Sequence, residues 1–150
     1  MALYAIAREG ATPVAGAMLL GITTGLQEIA QVNEVSIGGE ATTSTVNRMA
    51  IRRSTTNLTT PTAQTPSKMS TTSPAAYSDC ATTATGEPTT AAAPAIWTYA
   101  LNVFGGVIRW VAAPGQALLV QGATAGNNEL TLESASGTGV ISCQMLFEEI

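Results

Sequence analysis

The chain has 150 residues, a length that fits one domain, with hydrophobic residues at 45% and charged residues at only 11%. Ten acidic residues against six basic ones leave a net charge of −4, which excludes a nucleic-acid-binding role, because neutralising phosphates needs clustered Lys and Arg. There is no His, so the commonest general base and the commonest metal ligand are both missing.

The opening residues, MALYAIAREG, carry no basic leader before an apolar run, so no secretory signal is expected. The longest apolar stretch, Val14 to Ile22, is about half of a membrane-spanning helix. These features predict a protein made and kept in a cytoplasm, or assembled there into something larger, with no membrane partner. Two free thiols are the default there for Cys80 and Cys143.

Residues 3–8 alternate as a first strand, and Gly10 to Pro13 is expected to break it. Residues 14–22 are apolar but interrupted by Gly16 and Gly21, which weaken a helix and favour a second strand. Residues 26–37 fit both a helical face, through Leu26, Ile29, Ala30 and Asn33, and strand alternation from about 28 to 37. Their β-branched content and the Gly38-Gly39 stop favour a strand. Residues 43–53 alternate with Thr45, Asn47, Met49 and Ile51 on one side, and Thr-rich composition supports a strand. Arg52 and Arg53 are adjacent, so a strand points them to opposite faces.

Residues 54–76 contain Pro61, Pro66 and Pro74 and almost no large apolar residue. Proline blocks ladder donation and fixes φ, so this stretch is expected to be a long loop, or an arm extended over a neighbouring subunit. Residues 81–94 continue the Ala/Thr/Pro composition, making 54–94 one extended loop region. Beyond it, residues 95–104 place Trp97, Tyr99, Leu101 and Val103 on one face. Gly105-Gly106 makes a tight turn into 107–112, and Pro114-Gly115 turns the chain into 116–121. Gly126-Asn127-Asn128 precedes a strand at 129–134. The last strand, 140–150, sets Ile141, Cys143, Met145 and Phe147 against Ser142, Gln144 and Glu148. Cys143 falls in the apolar series and reads as a small core residue rather than a reactive thiol. Seven or eight short strands with Gly/Pro turns predict an all-β domain over 1–150, an antiparallel β-sandwich or jelly-roll-like fold.

No catalytic constellation emerges, and an enzyme is not expected. Serine and cysteine triads need a His. A Ser-Lys site would need Lys68, which sits in the Pro/Thr stretch with nothing to desolvate it. General acid–base work needs a carboxyl in a perturbing environment, and neither Asp79 with Glu87 nor Glu148 with Glu149 has a pattern that implies one. Asn127, Asn128 and Glu129 match a calcium loop only weakly, and a β-turn explains them better. Asn57-Leu58-Thr59 matches the glycosylation sequon, which has no consequence without export. Trp97, Tyr99 and Trp110 could form a sugar-stacking platform, but their alternation favours core packing.

The order of LYAIAREGAT, EVSI followed by Gly-Gly, VNRMAIRRST, the Thr/Pro/Ala stretch, PAIWTYALNVFGGVIRWVAAPGQALLV and a closing FEE resembles small capsid decoration (cement) proteins of tailed bacteriophages. Leu3 departs from that pattern, where a basic residue is common. The resemblance implies a β-sandwich on the exterior of the virion, assembled in the host cytoplasm, present as dimers or trimers and bridging major capsid proteins without a cofactor. Binding only the expanded shell would stabilise that shell by mass action, and repeated contacts would multiply modest affinities. Arg52 and Arg53, beside the long loop, and Thr60, Pro61 and Lys68, within it, are the candidate partner contacts. The competing reading is a receptor- or sugar-binding component of a phage tail or fibre.

Overall fold

Alternation at period two recurs along the chain, and strands form where it does. The computed structural model describes residues 1–54, 59–86, 95–122 and 129–150, with the side chains of 59–61 and 83–86 excepted. Twelve strands occur among them: β1 (Ala2–Ala11), β2 (Ala17–Thr23), β3 (Ile29–Gly39), β4 (Val46–Arg53), β5 (Thr59–Ala63), β6 (Ser67–Lys68), β7 (Asp79–Gly86), β8 (Trp97–Asn102), β9 (Val107–Val111), β10 (Leu118–Gln121), β11 (Leu130–Ser136) and β12 (Ile141–Glu149). They form two antiparallel sheets packed face to face, the all-β sandwich expected from the turn spacing.

The first sheet runs β10-β3-β12-β1-β6, with β9 also on β3. β10 pairs with residues 29–32 of β3 and β9 with residues 34–38, so the two short strands share one edge end to end. The second sheet runs β5-β7-β2-β11-β4-β8. Tyr4, Ile6, Val35, Ile37, Met145 and Phe147 face inward from the first sheet and meet Leu20, Ile22, Met49, Ile51, Leu130 and Leu132 of the second in one buried cluster. Each such side chain removed from water contributes about 1.5–3 kcal/mol. Two arginines tie the layers at opposite sides of the sandwich. Arg8 of β1 donates to the Thr82 carbonyl of β7 at 2.7 Å, and Arg53 of β4 donates to the Leu119 carbonyl of β10 at 2.6 Å.

Four expectations need correction. First, twelve strands replace seven or eight, because several are too short to be seen as separate alternating runs. Second, 54–94 is not one loop or arm over a neighbour: β5, β6 and β7 lie inside it, and β7 pairs with β2 in the body of the second sheet. Small Ala and Thr side chains conceal the strand signal, and Pro61 is tolerated because β5 lies at a sheet edge. Residues 55–58 and 87–94, including Asn57 and Glu87, are outside the described residues, as is the expected turn at 126–128. Third, β1 runs on through Gly10 and ends at Ala11, inside the expected break at Gly10 to Pro13. The φ of 56° at Gly10 makes a bulge between Arg8 and Ala11, after which pairing with β12 resumes.

Fourth, β3 does not stop before Gly38-Gly39: both residues pair with β12, and the strand ends at Gly39. Gly39 is required by a close approach. A Cβ there would collide with the Val103 backbone. The Gly39 amide donates to the Gly106 carbonyl at 2.8 Å, and the Ala41 amide to the Val103 carbonyl at 3.0 Å. The turn at Gly105-Gly106 is present, but it does not make a hairpin. β8 belongs to the second sheet and β9 to the first, so the chain changes layer there.

Candidate functional site

The residues singled out in the sequence do not converge. Arg52 faces the outside of the second sheet, where its guanidinium pairs with the Glu133 carboxylate across β4 and β11. Arg53 points the other way, as strand alternation requires, into its tie with Leu119. Burial pushes the Arg53 guanidinium pKa down from its usual value. Both cations are thus used inside the fold. Thr60 and Pro61 lie on β5 at the far edge of the same sheet, with β7, β2 and β11 between them and β4. Lys68 is exposed on β6, the edge strand of the other sheet, opposite Tyr4.

Large exposed apolar side chains are spread over both sheets among the described residues, and three of them flank the segment where the chain changes sheet. Val46 pairs with Asn102 at the end of β8 and is 61% exposed. Phe104, in the turn, is 62% exposed, and Val107, opening β9, is 75% exposed. The turn beside them is held by hydrogen bonds. Asn102 accepts the Phe104 amide on its side-chain oxygen at 3.0 Å, donates to the Ser44 hydroxyl at 3.0 Å and accepts the Gly106 amide on its carbonyl at 3.1 Å. A hydrogen-bonded backbone beside exposed apolar groups lowers the ordering cost of binding. These residues were missed because each belongs to a different strand or turn. The available signal was Phe104 itself, a large apolar residue directly before two glycines.

The three aromatic residues considered as a sugar-stacking platform divide. Trp97 and Trp110 pack against the core cluster, as their alternation implies. Tyr99 does not: it is 52% exposed, because β8 is an edge strand, and its ring stacks on Trp97 at 5.9 Å. Val107, Arg109 and Val111 alternate with Ile108 and Trp110 on β9. Arg109 makes a paired contact with Glu34, both bonds 2.7 Å, which holds the Glu34 carboxyl below its usual range.

The carboxylate with the most built surroundings is Glu149, buried at the end of β12. It accepts the amides of Tyr77 and Ser78 at 3.0 and 2.8 Å. Tyr77 donates its hydroxyl to the Ile29 carbonyl at 2.8 Å, and Tyr4 donates to the Pro74 carbonyl at 3.2 Å. Burial, with Glu149 beside it, raises the Tyr4 pKa. A cavity of about 370 Å³ lies here, lined by Met1, Ala2, Tyr4, Pro74, Ala75, Tyr77 and Glu149. Backbone amides take up one carboxylate oxygen, so the group fastens Tyr77 and Ser78 to the end of the first sheet. Cys80 and Cys143 are free and buried, and burial pushes both thiols up to about 12. Among the described residues, no three Cys, Asp or Glu side chains group as metal ligands.

No protein-family model matches the chain, and comparison with curated proteins and with solved structures yields no significant match. The functional reading therefore rests on the surface.

Proposed function

We propose that this protein is a virion structural protein, a capsid decoration protein that binds the outer shell of a tailed bacteriophage and stabilises it by bridging major capsid proteins. The observation that carries the reading is the exposure of Val46, Phe104 and Val107 around a hydrogen-bonded turn, in a chain that has few charges. Apolar groups at the centre of a contact with depleted charge are the composition of a protein–protein interface core. The order of sequence segments resembling decoration proteins supports the same reading. Many copies on a symmetric shell would turn a weak contact per copy into durable occupancy.

Phe104→Asp and Val107→Asp test this surface, since both side chains are exposed and neither supports the core. Each is expected to lower occupancy on expanded capsids, read by co-sedimentation, with the melting temperature unchanged. Undiminished occupancy in both variants would remove these residues from the interface. A second reading, recognition of a sugar by a tail or fibre component, is favoured by the exposed Tyr99 ring on Trp97. It predicts glycan binding that Tyr99→Ala abolishes.

A further inference from the structure

Two sheets present four edges among the described residues, and three of them are blunted. The β6 edge is two residues long and carries Lys68. The β9 and β10 edge is divided into two short strands, and the first has Arg109 at its centre. The β5 edge contains Pro61, which cannot donate to a ladder. Short strands, charges and proline are the devices by which sheet proteins prevent edge-to-edge pairing.

β8 has none of these devices. Its six residues, WTYALN, contain neither a charge nor a proline, and its pairing with β4 runs without a register shift. Thr98, Tyr99, Ala100 and Asn102 are all exposed. Ala100 is the middle of that exposed run.

We propose that the free edge of β8 adds a strand, and that this strand is β8 of a second copy of the chain, antiparallel about a twofold axis near Ala100. An uncharged strand has no means of selecting an oppositely charged partner, whereas it is complementary to itself. An isologous contact uses the same patch on both copies and closes after two. In an antiparallel pair centred on Ala100, Tyr99 of each copy stands opposite Leu101 of the other, and the two Tyr99 rings become diagonal neighbours within contact reach. The half-exposed aromatic surface of Tyr99 is then covered. The two second sheets join into one continuous sheet, and no strand edge without a blunting device remains among the described residues. This inference is independent of the capsid reading.

Analytical ultracentrifugation of the full chain over a concentration series tests it, comparing wild type with Ala100→Lys, Thr98→Lys and, on another edge, Ser67→Lys. Wild type and Ser67→Lys are expected to dimerise alike. The two β8 variants should raise the dissociation constant by at least about tenfold, the effect of roughly 1.4 kcal/mol. Independently, Ala100→Cys should oxidise to a covalent dimer, because the two Cα atoms on the axis lie within disulfide range, while Ser67→Cys should not. A wild-type chain that stays monomeric up to millimolar concentration overturns the proposal. So does a dimer that both β8 lysines leave intact, or the lack of the Ala100→Cys crosslink. If wild type is monomeric yet Ala100→Lys loses capsid occupancy, the edge takes a strand of the coat protein, and the second copy is rejected as its occupant.

Discussion

Asn47 shows how much one buried polar side chain can organise. It lies on the apolar side of β4, fully buried among Met49 and Ile51, a position where an unpaired amide would be costly. Its amide nitrogen donates to the Gly139 carbonyl at 2.7 Å, and its oxygen accepts the Gly139 amide at 3.1 Å. The side chain thus completes the backbone pairing that β11 leaves open before β12. Asn47→Ala removes both bonds and leaves two backbone groups without partners. Chemical denaturation should show a loss of about 2–3 kcal/mol, and a loss under 1 kcal/mol would mean that water replaces the amide. The thiols offer a second check. Cys80 and Cys143 ionise only near 12 in the fold, against 9.0 ordinarily. Their folded pKa values are raised, so their contribution is fully present below pH 9 and is lost as pH rises from there towards 12. Above pH 9 each thiol should cost up to about 1.4 kcal/mol of stability per pH unit. At pH 8, modification by a thiol reagent should be slow in the native protein and fast in denaturant. Rapid native labelling of either cysteine would contradict its place in the core.

Between elements, the β3 crossing and the β4–β11 pair are the sharpest tests. Gly39 lies against the Val103 backbone, which cannot swing aside as a side chain could. Gly39→Ala should therefore cost about 1–3 kcal/mol by overpacking, whereas Gly38→Ala, where a Cβ meets open space, should cost much less. Equal effects on the melting temperature would refute the close approach. On the outer face of the second sheet, Glu133 is nearly buried while Arg52 remains partly exposed. Arg52→Ala should thus destabilise more than Glu133→Ala, because it abandons the more deeply buried charge. The reverse order would show that the guanidinium stem, not the ion pair, supplies the stabilisation. Legibility in the sequence followed side-chain size. β1, β3, β4, β8 and β12 could be read because large apolar residues alternate along them. β5 and β7 could not, since Ala and Thr give no contrast between faces and Pro61 masks an edge strand as a loop. The division of β8 and β9 between sheets was equally hidden, because a Gly-Gly turn does not state whether the flanking strands pair. Val46, Phe104 and Val107 come from β4, the turn and β9, and no local pattern joins those residues. Arg52 and Arg53 drew notice as the chain's basic pair, and the alternation that separates them also commits them to contacts within the fold.

For the whole molecule, two sheets sealed around one buried cluster leave function to the periphery. Three large exposed apolar groups flank the segment where the chain passes between layers, and among the described residues one edge strand lacks the usual protection. Such a body is suited to being held by neighbours on several sides. If it decorates a shell, removing it from capsids should lower their resistance to heat, and adding it back should restore that resistance in proportion to occupancy. Lys68 is a cleaner test of electrostatic capsid contact than Arg52 or Arg53, because it is exposed on an edge strand and its replacement leaves both arginine contacts intact. Lys68→Glu should reduce occupancy if the β6 edge faces the shell, with no change in melting temperature. The central claim is tested most directly by an image reconstruction of the particle that carries the chain, read for location and copy number. The account predicts density for this sandwich at many symmetry-related positions on the outer capsid surface, in fixed proportion to the major capsid protein. A few copies confined to the tail, or none in the particle, would contradict it.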